Sequence, residues 1–125
     1  MYIHDIIAAP PAREHSDEFI QDALGRLDRE LDKLLELGQQ VGFRTWFVPI
    51  PHRQRIVDRD MPGRLTEEAT GLARKQGCEV FDVLPDLQRQ YSRNFRLMVL
   101  PFDGHFDEEG NRFIARQLAR AMLGP

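Results

Sequence analysis

Only one cysteine, Cys78, and two serines, Ser16 and Ser92, occur in the 125 residues of this chain. A single cysteine excludes an internal disulfide framework, and it cannot alone make a thiolate zinc site. Neither serine stands in the strand-to-helix turn that exposes a nucleophile. Ser16 opens a charged helical segment and reads as a cap, while Ser92, in Tyr91-Ser92-Arg93-Asn94, reads as a solvated loop residue. Charge of one sign is also lacking. The net charge is -3, with Arg and Lys interleaved among Asp and Glu, so no basic stripe is available to neutralise a phosphate backbone and nucleic acid is not an expected partner. No apolar run approaches the roughly 18 residues of a membrane span, and Met1 to Pro10 lacks the basic start and apolar core of a signal peptide. These absences predict a soluble, cytoplasmic chain with no membrane partner.

What is present fits one folded domain spanning 1–125: 42% hydrophobic and 30% charged residues, without repeats or low-complexity tracts. Tyr2 to Ala9 is a short apolar run stopped by Pro10-Pro11, readable as a strand. From Ser16, with Asp17 and Glu18 in the first turn, Ile20, Leu24, Leu27, Leu31 and Leu34 form a helical stripe that Gly38 or Gly42 can end. Phe43 to Ile50 is a continuous apolar run of the kind buried in a parallel sheet, ended by Pro49 and Pro51. A polar loop follows from His52 to Gly63. Thr66, Glu67 and Glu68 predict the start of a second helix, with Ala69, Leu72 and Ala73 inward and Gly77 closing it. Glu79 to Leu84 then reads as a strand, Pro85 to Gln90 as a short helical turn and Arg96 to Leu100 as a last extended segment. A final helix runs from about Glu108 with Ile114, Leu118 and Met122 inward. The rhythm predicts a three-layer α/β domain, a mostly parallel sheet with flanking helices.

The residues that carry chemistry lie between Pro101 and Gly110. Asp103 and His105 follow an extended segment and precede a helix, where α/β folds place ligands and catalytic groups. Residues two apart on an extended chain point to one side, and Gly104 lets the chain bend so that the carboxylate reaches the imidazole. A carboxylate that fixes one tautomer leaves the other ring nitrogen free as a general base. By spacing alone, a loop carboxylate capping nearby amides explains the pair as well. Asp103, His105 and Asp107 also alternate like ligands of a divalent metal, although Asp107 is equally the N-cap of the last helix. His52 and Arg53, at the end of a predicted strand, are candidates for substrate contact. Cys78 reads as a small core residue, Trp46 and Phe47 as core, and His4 and His15 as surface residues.

The run from Leu100 to Ala115, Leu-Pro-Phe-Asp-Gly-His-Phe-Asp-Glu-Glu-Gly-Asn-Arg-Phe-Ile-Ala, resembles the last block of SGNH/GDSL hydrolases. There a loop Asp and His precede a Gly and an amphipathic helix. Gly42 to Pro51 is similar to the family's strand ending in a proline loop, and Gly77 to Pro85 to its next strand. The resemblance implies the C-terminal part of a larger hydrolase fold, a flavodoxin-like half, with His105 as base and Asp103 as acid of a Ser-His-Asp triad. Here one residue separates Asp from His, where the family's commonest spacing has two. The Gly-Asp-Ser block and the Gly and Asn of the oxyanion hole have no counterpart in the chain.

Three functions follow as expectations. The first is an ester hydrolase segment, with a carbohydrate O-acetyl ester among the possible substrates, completed by a missing N-terminal half or another chain and needing no cofactor or metal. The second is a non-catalytic binding or assembly module, and the third a small metal-dependent hydrolase. An interior-type strand without flanking strands further predicts a homodimer.

Overall fold

The hydroxyl of Ser16 accepts a hydrogen bond from Phe19 N at 3.2 Å and begins the longest element, α1 (Asp17–Val41). In the computed structural model, residues 15–100 and 104–124 are described. The elements after α1 are β1 (Trp46–Phe47), α2 (Arg53–Val57), α3 (Arg64–Gln76), β2 (Glu79–Val80), α4 (Leu84–Asn94) and α5 (Glu108–Leu123). They fall into two compact units.

The first unit, drawn from Arg13–Pro49 and Gly63–Phe81, holds α1, β1, α3 and β2. Helix α1 is 25 residues long, about 37 Å at 1.5 Å per residue, and packs along α3. Gly42 ends it in the left-handed region at φ 92°, a conformation open to glycine because it has no Cβ. Gly38 lies inside the helix instead, under Phe43, whose ring and carbonyl leave no room for a side chain there. Gly77 closes α3 in the same left-handed manner at φ 94°, as expected. Helix α3 begins at Arg64, two residues before the expected cap, and Thr66 instead accepts through its carbonyl from the Thr70 hydroxyl at 2.6 Å. Leu31, Ala73 and Cys78 form the centre of this unit, with Leu27, Leu35, Phe47 and Val80 packed against them. β1 and β2 run parallel, pairing Trp46 with Glu79 and Phe47 with Val80. Arg44 pairs with Glu79 and lies over the Trp46 ring at 5.8 Å.

The second unit, drawn from Ile50–Pro62 and Asp82–Pro125, holds α2, α4 and α5. Helix α2 packs against α4, and the buried apolar residues here are Ile56, Val83, Leu84, Leu87, Tyr91, Leu97 and Met98. The Tyr91 and Phe95 rings meet edge to face at 5.7 Å.

The three-layer α/β expectation is corrected. Of the described residues 65% are helical and 6% extended, and the only sheet among them has two strands. Each shortfall has a local cause. The run Phe43 to Ile50 yields only Trp46–Phe47, because Pro49 and Pro51 have no amide hydrogen to extend a ladder. The run Glu79 to Leu84 stops at Val80, where the Asp82 carboxylate accepts from Leu84 N at 3.0 Å and Pro85, in the first turn, launches α4. That helix extends to Asn94 rather than Gln90, so Ser92 is helical and not a loop residue. Arg96 to Leu100 is interrupted by Met98 at φ 56°, leaving a single bridge at Val99. On α5, Ile114 and Leu118 are half-buried and Met122 is exposed. The Tyr2 to Ala9 run and His4 lie outside the described residues.

Candidate functional site

The segment carrying His105 pairs antiparallel with the residues that follow α4. Val99 bridges Phe106, Leu100 N donates to His105 O at 2.9 Å, and Asp107 N donates to Met98 O at 2.9 Å. Phe95 at φ 55° ends α4, and Met98 at φ 56° swings its own side chain and that of Leu97 into the interior. Two left-handed non-glycine residues this close together are uncommon; Phe95 is held by its amide's hydrogen bond to Tyr91 O at 2.8 Å, and Met98 by burial of its side chain and the hydrogen bond its carbonyl accepts from Asp107 N. Immediately after the turn, the Asp107 carboxylate accepts from Gly110 N at 2.8 Å and starts α5, with Glu108 and Glu109 favourably placed at the positive end of the helix dipole.

Gly110 seals this arrangement. It is buried, and a Cβ there would fall on Met98 O and within 2.9 Å of Phe106 Cδ1. The first turn of α5 therefore lies directly against the backbone that carries His105. Sequence spacing does not reveal this contact, since a glycine early in a helix usually marks only flexibility.

His105 is exposed on this turn. Asp103 lies outside the described residues, as do Pro101 and Phe102. Gly104 is not in the left-handed region, and a Cβ on it would meet nothing within 4 Å, so the bend does not require glycine there. Asp107 is engaged as a cap, which leaves the alternating metal pattern without one of its carboxylates. No group of three potential metal ligands occurs among the described residues.

The nucleophile candidates are all engaged elsewhere. Ser16 caps α1. The Ser92 hydroxyl donates to Gln88 O at 2.9 Å and accepts from Arg59 at 3.3 Å, so both its proton and a lone pair are in use. Cys78 is buried in the first unit, where burial pushes its thiol above the usual range and away from thiolate character.

His52 and Arg53 begin α2. The His52 side chain is the N-cap of that helix, its Nδ1 accepting from Gln54 N at 3.3 Å. Partial burial, and then the Arg53 charge beside it, lower its pKa from 6.5, which favours the neutral ring that can accept this bond. A role for His52 in substrate contact would have to coexist with this cap. Arg53 is half-buried with its Nε unpaired among the described residues. His15 is an exposed residue stacked on Phe19 at 4.4 Å.

Within the second unit, α4 and α5 flank an open groove of about 770 Å³ whose walls carry Arg93, Arg112, Arg116 and Arg120. The signal in the sequence is the four-residue spacing of the last three, which places them on one helix face. Among the described residues, no helix is long and apolar enough to cross a membrane. Comparison with protein-family models, with curated proteins and with solved structures found no match to this chain.

Proposed function

We propose that this chain supplies the base His105 and the acid Asp103 of a Ser-His-Asp ester hydrolase resembling the SGNH/GDSL enzymes, with the serine and oxyanion donors coming from polypeptide outside these 125 residues. One observation carries the reading: an exposed histidine on a turn braced by two backbone hydrogen bonds and a packed glycine, while both serines and the cysteine are engaged elsewhere. A general base needs a fixed backbone and an open approach, and His105 has both. In the reaction, His105 would take the proton of the incoming serine hydroxyl as it attacks the ester carbonyl, then return it to the departing alcohol. Asp103 would hold the imidazole in one tautomer and stabilise its charged form. His52 and Arg53 are the candidates for contact with the acyl or sugar portion.

The first test uses the chain alone on p-nitrophenyl acetate. No turnover above the buffer rate is expected, and Ser16→Ala and Ser92→Ala should change nothing. Loss of an oxyanion donor alone costs about a hundredfold or more, and here the nucleophile is missing too. Turnover at about 1 s⁻¹ or faster that disappears with Ser92→Ala would overturn the proposal.

A second reading, a non-catalytic assembly module acting as a homodimer, has its own support. β1 and β2 have no further strand partner among the described residues, and Leu34, Leu37 and Val41 form an exposed stripe on α1 with Phe43 just beyond. Two parallel strands alone are too few to protect their edges from water, and this apolar stripe invites cover. Light scattering should return about twice the chain mass of 14.5 kDa, falling to one mass in Leu37→Glu. A monomer that stays soluble at high concentration would count against it.

A further inference from the structure

We propose that the groove between α4 and α5 binds a small molecule carrying two or more phosphate groups. Its volume of about 770 Å³ falls in the range that encloses small ligands. Only some of its charges are already answered within the chain. At the acidic end, Asp107 caps α5, Glu108 pairs with Arg112 and Glu109 pairs with Arg96. Of the other cations in the lining, the Arg93, Arg116 and Arg120 side chains have no hydrogen bond or ion pair to any described residue.

Arg112, Arg116 and Arg120 recur every four residues, so their side chains stack about 6 Å apart along one face of α5. Like charges at this spacing repel, and among the described residues only Arg112 has a carboxylate to relieve it. Arg93 contributes a fourth guanidinium from the facing helix. An anion placed among them removes the repulsion and gains charge-assisted hydrogen bonds.

The residue type narrows the ligand. All four cations are arginines, whose planar forks grip phosphate oxygens two at a time, whereas lysine offers a point charge. Three unpaired forks offer more donor pairs than the terminal oxygens of one phosphate can take two at a time, so the fit is to a di- or triphosphate group. Phe113 and Met98 add apolar lining for the organic part of such a molecule. The overall charge of -3 disfavours a long polyanion, which would meet repulsion away from the groove.

The test is calorimetric titration of the chain with inorganic tripolyphosphate, orthophosphate and citrate at low salt. Tripolyphosphate should bind with a sub-millimolar Kd that weakens as salt rises, and the other two should bind at least about tenfold more weakly. Arg116→Gln with Arg120→Gln should weaken tripolyphosphate about tenfold or more, and Arg93→Gln should weaken it as well. Arg26→Gln, which removes an exposed arginine paired with Asp22 on α1, should leave binding unchanged. The altered side chains are exposed, and circular dichroism checks that each variant is folded. The proposal is overturned by absence of tripolyphosphate binding, by equal binding of citrate or orthophosphate, or by an equal loss in Arg26→Gln.

Discussion

Replacing Gly110 with alanine should lower the thermal midpoint by on the order of 10 °C, although the same change at Gly71 should raise it slightly. Helix propensity favours alanine over glycine at both sites, by roughly 1 kcal/mol in a helix interior such as that of Gly71 and by no more than that in the first turn, where Gly110 lies. Packing separates them. At Gly71, in α3, a Cβ meets nothing within 4 Å. At Gly110 it would collide with Met98 O and approach Phe106 Cδ1 to 2.9 Å and Met98 Cβ to 3.1 Å. The Met98 carbonyl cannot turn away without giving up its 2.9 Å hydrogen bond from Asp107 N, which joins the turn to α5. Overpacking of this kind costs typically about 1–3 kcal/mol, and an obstacle that is backbone belongs at the upper end. At about 4 °C per kcal/mol, 3 kcal/mol outweighs the propensity gain and gives the expected drop. Calorimetry of the two variants checks the sign as well as the size. A Gly110→Ala protein as stable as the parent would mean that α5 does not rest on the turn.

The helices were far more legible in the sequence than the strands. Ser16, Asp107, Gly42 and Gly77 are chemical punctuation: a short oxygen acceptor starts a helix and a residue without Cβ ends one, whatever lies around them. An apolar run has no such directness. Val83, Leu84 and Leu87 look like the end of a strand followed by a turn, but the Asp82 carboxylate and Pro85 make Val83 the N-cap of α4 and put Leu84 and Leu87 on its buried face. Leu97 and Met98 are buried as expected of extended apolar residues, yet through a left-handed methionine that no propensity favours.

The candidate site divides in the same way. The Asp107 cap and the buried, inert Cys78 follow from residue type and neighbours. The brace on His105 depends on Gly110 meeting Met98, residues twelve apart whose approach is decided by tertiary packing. His52 as an N-cap was missed because histidine is seldom chosen for that role over Ser, Asp or Asn. The arginine row on α5 was visible as spacing, but its lack of partners emerges only when every carboxylate nearby has been assigned.

In the longest in-frame translation product that contains these residues, His105→Ala should reduce kcat/KM for an acyl ester by about 10³-fold or more. A positioned general base typically contributes about 10²–10⁴-fold, and the loss of one triad member removes most of what the triad does together. His105 is exposed, so truncating it should leave stability within about 0.5 kcal/mol of the parent, and a lost rate cannot then be put down to unfolding. Ser92→Ala provides the contrast: its hydroxyl already serves Gln88 and Arg59 within the chain, and its removal should leave the rate unchanged. The decisive measurement is the ratio of kcat/KM between the parent and His105→Ala on one acyl ester, both proteins matched for folding by circular dichroism. The expected ratio is about 10³ or more. A ratio near one, or a product with no ester hydrolysis to lose, would contradict it.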